Sequence, residues 1–573
     1  MSGPYLTHEE FQKQLLHMQQ SETLIVDTEG TLTHPYSETW GLSTSAYGVA
    51  LYFAFNHGYG ENLPQQWLDE LRPVIENHPC LVYHHAKHDI RSLRNLKIYP
   101  KGKFYCTMLM AHLTDENRFS YELSPLSTSL GGEPKKMPEA MKIIIDSFGY
   151  KMVPVDMWLD YASNDAFITE ELFYNLKPDF QDQGFDRELW DWEQRWIKTL
   201  LEIENAGVLI NEPLAAAEIK RGSAIMDDIQ NNLGFNPGSP PQLAHFLIDE
   251  LGLPILKQTD KGKPSMVKEV MKRYDEMLEA RGDKRAQQVL TYRGWSKCIG
   301  SSYRPYVEER SPVDGKFRAD FRQHKARTGR LTASRLHQIP KISIHDWNSQ
   351  TKHAITENSD FTSWEFDYSQ LEFRLGSLYA NEQSLIDVFN DPTRDIFDEM
   401  ALALGMSRDS TKTLNYTLQF GGGFVRVSEV FNISHTSAKG IISNYFRQWP
   451  GFLKASKYAE FKASQQGYVK YWTGRRRHFK FKDEYRKAFN SLCQGGAFEI
   501  VKRQGVRLHE AGLNNPESIM DLTVHDSYRF SILRGKETIY VPEIKNLMED
   551  VASLAPDKLS KVKFKVDVKQ WGH

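Results

Sequence analysis

Two short acidic stretches have the residue types and surroundings for chemistry: Asp367-Tyr-Ser-Gln370-Leu-Glu372 and Val524-His525-Asp526-Ser527. Each follows strand-forming residues, Trp364-Glu-Phe366 and Leu522-Thr-Val524, so each reads as an aspartate at a strand edge or turn. They lie 159 residues apart. Two aspartates drawn together from distant strands can clamp a pair of divalent metals about 3.5–4 Å apart, an arrangement suited to phosphoryl transfer. Between them Arg408, Lys412 and Tyr416 recur at i, i+4 and i+8, which puts two cations and a ring on one helical face. That face suits a triphosphate followed by a base or sugar. Taken singly, the aspartates also suit N-caps or turns, and the helix suits a solvated basic stripe with Tyr416 as core filler.

A second carboxylate set stands near the N-terminus. Asp27-Thr-Glu29 follows the apolar Leu24-Ile-Val26, so Asp27 and Glu29 project to one side at period two. Asp89 ends Tyr83-His-His-Ala-Lys-His-Asp89, and Tyr161 and Asp165 are one helical turn apart. Together these carboxylates and the tyrosine are candidates for a second site. Each alone is equally an ordinary helix or turn residue.

The elements that must position these groups follow from pattern. Leu24–Val26 and the apolar segment Ala46–Phe55 read as strands, Leu81–Leu93 and Tyr161–Leu176 as helices, which makes an α/β domain to about residue 185. A helix from Trp190 to Ala206 ends at Gly207, a C-cap. Helical sequence runs on to about Ser301, broken at Asn236–Pro241 and Lys261–Pro264. A strand is expected over Phe317–Arg322, followed by mixed α+β sequence. Gly421-Gly-Gly423 ends the cationic helix and reads as a hinge.

At 573 residues the chain needs three or four domains. Cys80, Cys106, Cys298 and Cys493 form no CxxC pair, which argues against a zinc ribbon or disulfide framework and fits a reducing compartment. No apolar run approaches the roughly 20 residues that span a bilayer, and Met1–Gln20 is unlike a signal peptide. A cytoplasmic protein is expected. The net charge of −3 divides unevenly: residues 1–190 carry 15 basic and 26 acidic side chains, the remainder 56 and 48. Phosphate binding answers to local field, so the second part is the expected duplex binder and the first the expected metal site.

Motif by motif, the second half resembles the family A DNA polymerases, the group of bacterial DNA polymerase I and many phage replicases. Asp367–Arg374 resembles motif A, Arg408–Gly421 motif B, and Val524-His-Asp526 motif C. The first-half stretches resemble the DEDDy 3′–5′ exonucleases that this family carries for proofreading. The resemblance implies a multidomain α/β and α+β chain: an RNase H-like exonuclease domain at 1–185, a connecting helix and palm start at 186–207, then a right hand. Its thumb is expected at 208–300, palm at 301–385 and 471–573, and fingers at 386–470. It further implies two Mg²⁺ per active site (Mn²⁺ a possible substitute), held by Asp367 and Asp526, and by Asp27, Glu29, Asp89 and Asp165. Arg408, Lys412, Tyr416, Glu372, Phe420 and Gln370 are the implied nucleotide contacts. Arg330 of Thr328-Gly-Arg330-Leu, Gln494 and His525 are implied at the primer-end minor groove, whose acceptors check geometry without reading sequence, with Arg486 and Asn490 on the template side. The run Gly474–Lys482 suits phosphate contact or a solvated loop.

The expected partners are primer–template DNA and dNTPs, with helicase and single-strand binding protein as possible accessories to a monomer. No 5′-nuclease and no large thumb insert are expected, which is more like a phage replicase, located in the bacterial host's cytoplasm if so encoded. Departures from the family pattern are specific. Phe420 stands where relatives usually have tyrosine, predicting looser seating of Glu372, the gate against a ribose 2′-hydroxyl. Tyr416 predicts ready acceptance of dideoxynucleotides. Ser527 replaces a common glutamate, Phe397 a phosphate-contacting histidine and His85 an asparagine. Rival readings are an exonuclease with a DNA-gripping inactive polymerase half, a non-catalytic scaffold, and a repair or translesion enzyme.

Overall fold

The computed structural model describes residues 6–31, 35–132, 134–336, 339 and 350–572; the first five residues of the polar N-terminus lie outside them. The first half is built on a five-stranded sheet of β1 (Leu24–Gly30), β2 (Thr39–Ala46), β3 (Val49–Ala54), β4 (Cys80–Tyr83) and β5 (Lys103–Cys106), in the order β3-β2-β1-β4-β5. β1 is antiparallel to β2 and parallel to β4, and β4 is parallel to β5. Asp27 and Glu29 lie inside β1, not after it. The register shifts at Glu29/Gly30, the kind of bulge that re-aims side chains beside a site.

Two expectations for this half need correction. Ala46–Phe55 is not one strand, because Tyr47 and Gly48, at φ 50° and 78°, make the two-residue turn that joins β2 to β3. Leu81–Leu93 is not one helix: Leu81-Val-Tyr83 is parallel strand β4, and helix α1 (Ala86–Asn95) begins only after His85. A short strand buried on both faces has the same apolar run as a buried helix, so periodicity cannot separate them. Helix α2 (Val155–Asp182) packs across β1, β2 and β3 and carries Tyr161 and Asp165.

Helix α3 (Glu188–Ala206) belongs to both halves. Trp190, Ile197 and Leu201 enter the first core, while Trp196, Leu200 and Ile203 enter the second. It ends at Gly207 with φ 57°, in the region glycine tolerates. Ion pairs also cross the junction: the buried Arg475–Glu193 (3.1 Å) and Arg477–Glu116 (2.8 Å), and the half-buried Lys87–Asp320 (3.0 Å). Desolvated pairs contribute little net stability, but removing one partner strands a buried charge, so they fix how the halves meet. Helices Glu212–Leu233, Lys268–Glu279 and Arg285–Cys298 follow, and Leu243, Phe246, Met271 and Tyr274 help form a small separate core. Phe317–Arg322 is not one strand. Lys316–Phe317 pairs with Val208–Ile210, and Phe321–Arg322 pairs with Thr332–Ala333. The break has a cause: the Phe321 N–H donates to the Glu204 carboxylate (2.7 Å) and Asp320 is drawn to Lys87.

The second half centres on an antiparallel sheet of β6 (Phe361–Tyr368), β7 (Ser518–Val524), β8 (Ser527–Leu533) and β9 (Val566–Gln570), in the order β7-β8-β6-β9. α4 (Leu371–Ala380) and the buried α6 (Ala488–Glu510) pack on each other beside it, and α5 (Arg408–Gln419) stands among further helices.

Candidate active sites

β6 pairs with β8 so that Asp367 lies directly across from Ser527, and the Tyr368 N–H donates to the Asp526 carbonyl (3.3 Å). The β7–β8 connection is the two residues His525-Asp526, with His525 at φ 56°. A non-glycine residue in that region costs about 1–3 kcal/mol and is held there by its surroundings. The hairpin therefore delivers Asp526 beside the end of β6. Gln370, also left-handed at φ 50°, opens α4 and turns Glu372 into the same space. Arg374 Nε donates to the Ser369 carbonyl (2.8 Å), and Gln419 Nε2 to the Glu372 carbonyl (2.9 Å), locking the motif A turn to α5.

These residues line one cavity of about 690 Å³ that takes in Asp367, Gln370, Glu372, Arg330, Lys412, Tyr416, Phe420, His525 and Asp526. Tyr416 and Phe420 stack at 6.0 Å and 18°. Burial, then the Asp526 carboxylate, push the Tyr416 phenol up, so it stays a hydrogen-bond donor. Arg330 pairs with Glu372 Oε1, while Glu372 Oε2 is buried without a hydrogen-bond partner among the described residues. Arg408 does not line the cavity; it pairs with Asp395 (2.8 Å) and Asp398 (3.2 Å) at the helix start. Arg486 lies in a 3₁₀ turn whose carbonyl approaches Gly421 (3.7 Å from where a Cβ would stand), and Asn490 and Gln494 share one face of α6. Phe397 is buried and stacks on Phe373 (6.0 Å).

Four residues here went unread in the sequence. Asp567 of β9 is the other cross-strand neighbour of Asp367 and accepts from the Ser369 hydroxyl. Glu365, two residues before Asp367 and so on its face, holds Lys352 (2.7 Å) and Lys569 (3.3 Å) against the cavity wall. The alternation Val562, Phe564, Val566, Val568 was an available strand signal for β9.

In the first half, ligand oxygens of Asp27, Glu29 and Asp165 lie within 4.8 Å of one another. Burial and then the Asp165 charge push Asp27 up to about 7, with Lys135 opposing. Burial, Asp27 and Asp165 hold Glu29 well above the usual range. Asp89 stands outside that trio. It accepts from Thr28 Oγ1 (2.9 Å), and burial with the Asp27 charge raises it as well. Asp89 Oδ2 and Asp165 Oδ1 are buried without hydrogen-bond partners among the described residues. Crowded, desolvated carboxylates with orphaned oxygens take up protons in the metal-free chain and fit divalent metal ions. Tyr161 sits one turn before Asp165, and Lys135, unread in the sequence, pairs with Asp165. His85, at the asparagine position, precedes α1 and its carbonyl accepts from the Asp89 N–H (3.2 Å).

A fold of this kind, with a carboxylate site in each half, belongs to a recognised class. The family model for DNA polymerase family A matches residues 214–573, and that for the 3′–5′ exonuclease matches residues 5–181. The chain belongs to DNA polymerase family A, with an exonuclease domain ahead of the polymerase domain. Among curated relatives, DNA polymerase I of Pseudomonas aeruginosa is 26% identical over 586 residues, covering 95% of this chain and 63% of its own length. DNA polymerase I of Treponema pallidum is 25% identical, covering 91% and 52%. The thermostable enzyme of Thermus aquaticus is 27% identical, covering 70% and 50%. The chain thus spans between half and 63% of the length of these relatives. In fold it matches the POL domain of Pol1 from M. smegmatis, solved in complex with DNA primer-template and dNTP. The TM-score is 0.84 at 20% identity, covering 99% of this chain and 98% of that one. No described helix is long and apolar enough to cross a membrane.

Proposed function

We propose that the second half adds dNTPs to a primer 3′ end on a DNA template and that the first half removes 3′-terminal nucleotides, each with two divalent ions, Mg²⁺ or Mn²⁺. The carrying observation is the register that puts Asp367 across from Ser527 and beside Asp526, at the floor of a cavity whose other wall is Lys412, Tyr416 and Phe420. Metal ions bound at such carboxylates acidify the attacking hydroxyl and neutralise the departing oxygen. Lys412 takes the triphosphate, with Arg408 joining it on release from Asp395. Tyr416 and Phe420 stack against sugar and base. Glu372 closes the space beside C2′. Arg330, His525, Gln494, Asn490 and Arg486 hold the primer end and template. In the first half Asp27, Glu29, Asp89 and Asp165 hold metal, and Tyr161 orients the attacking water.

The complete proofreading set beside an intact polymerase site supports replication over translesion synthesis. The finer reading is a phage-type replicase in a host cytoplasm, a monomer served by helicase and single-strand binding protein. Processive copying of a long single-stranded template, stimulated by the binding protein, would bear on it. The central experiment is primer extension. The parent chain extends the primer with dNTPs and shortens it without them. Asp367→Ala loses synthesis alone and Asp27→Ala loses degradation alone. Retained synthesis in Asp367→Ala overturns the polymerase assignment, and retained shortening in Asp27→Ala overturns the nuclease.

A further inference from the structure

The carboxylate cluster of the first half contains a cation contributed by the chain itself. Lys135 follows the Gly131-Gly132 turn, and its backbone N–H donates to Ser124 Oγ (3.0 Å), which ties its position to the helix Leu123–Ser129. Its ammonium pairs with Asp165 Oδ2 and lies 3.6 Å from the centre of the Tyr161 ring. The pair is secluded: the Lys135 side chain is 16% exposed and that of Asp165 is 9%. Asp165 in turn shares a 4.8 Å cluster with Asp27 and Glu29. One ammonium therefore touches the nuclease tyrosine and one carboxylate of the trio.

A lysine ammonium carries one charge on a flexible four-carbon stem, so it can neutralise one carboxylate and leave without disturbing the backbone. A divalent ion held by the trio draws on the Asp165 carboxylate, and a second cation on that same carboxylate is disfavoured, since like charges at such separations repel strongly. Taking the nuclease reading as its basis, we propose that Lys135 is a resident counter-cation of the exonuclease site, which a divalent ion must displace from Asp165. Metal loading is then an exchange of cations. The ammonium compensates Asp165 in the metal-free chain, and the exchange raises the metal concentration at which the nuclease switches on.

The test uses the full chain in an Asp367→Asn background, so that Mn²⁺ binding reports chiefly on the first half. Calorimetric titration with Mn²⁺ is compared for that parent and for added Lys135→Gln, Lys135→Arg and Asp27→Asn. An opposite charge at this range shifts a carboxylate's equilibria by one or more powers of ten, so Lys135→Gln should bind Mn²⁺ about tenfold more tightly. Lys135→Arg should stay near the parent. Equal or weaker binding by Lys135→Gln overturns the proposal. Unchanged Mn²⁺ uptake in Asp27→Asn overturns the nuclease reading beneath it, so the two failures are told apart. A measurement without Lys135 variants guards against a folding defect: amine acylation read by mass spectrometry. Displacement predicts greater modification of Lys135 when Mn²⁺ is added, and unchanged or lower modification counts against it.

Discussion

Phe420→Tyr probes how Glu372, the proposed sugar gate, is held. Glu372 is 14% exposed at its side chain; its Oε1 pairs with Arg330 and its Oε2 is buried with no hydrogen-bond partner among the described residues. If Arg330 turns to the primer minor groove during synthesis, Glu372 loses that partner as well. A tyrosine hydroxyl at 420, on a ring already stacked against Tyr416 and lining the same cavity, supplies a donor to the orphaned oxygen. Hydrogen bonds to charged groups contribute about 1.5–3 kcal/mol, and Phe420 is half exposed, so roughly 1 kcal/mol survives solvent competition. That is about a fivefold rise in discrimination against ribonucleotides. The assay is single-nucleotide primer extension, comparing kcat/KM for a dNTP and its ribonucleotide. The same substitution in a Glu372→Ala background should then do nothing, since the hydroxyl acts through that carboxylate. An unchanged ratio, or an effect that persists without Glu372, refutes the reasoning.

Tyr416→Phe should cut use of dideoxynucleotides about tenfold or more while leaving dNTP use near normal, because the phenol replaces the missing sugar hydroxyl's hydrogen bond; equal use by both proteins in competition extension counts against it. Gly329→Ala should destabilise the chain and raise the KM for primer–template. Gly329 has φ +76°, which costs about 1–2 kcal/mol with a Cβ, and that Cβ would meet the Arg475 guanidinium at 2.6 Å. Arg475 cannot swing aside freely, being held by Glu193 (3.1 Å) and His112 (3.1 Å); an unchanged melting temperature would contradict this. The first-half site should also depend on pH. Asp27 is raised to about 7, so between its ordinary value and 7 the folded state binds the extra proton. Metal-free stability of that half should therefore fall as pH rises through this window, whereas Mn²⁺ affinity should climb, since metal takes the deprotonated form. Thermal unfolding with and without Mn²⁺ from about pH 5 to about pH 8 checks both signs.

What could be read from the chain, and what could not, divides by the range of the interaction. Asp27 and Glu29 were readable as a pair because period two is a property of one strand. Tyr161 and Asp165 were readable because one helical turn is local. Asp367 and Asp526 were readable as strand-end acids, but their meeting depends on the register Asp367↔Ser527, which no local pattern encodes. Lys135 had no signal at all: a lysine 30 residues before Asp165 becomes its partner only in the folded chain. Arg475 likewise matters through Glu193, 282 positions away.

Arg408 shows where a local reading must be finished with magnitudes. The i, i+4, i+8 spacing puts it in line with Lys412 and Tyr416, yet in the structure it turns to Asp395 and Asp398. These pairs are exposed, and exposed pairs contribute about 0–1 kcal/mol. A triphosphate offers a multiply charged acceptor for charge-assisted, bidentate contact, which is stronger. The ligand-free ion pair is thus the weaker competitor, and on the proposed function nucleotide binding should draw Arg408 back to the helical face read from the sequence. Lys412, one turn further on and already lining the cavity, needs no such exchange.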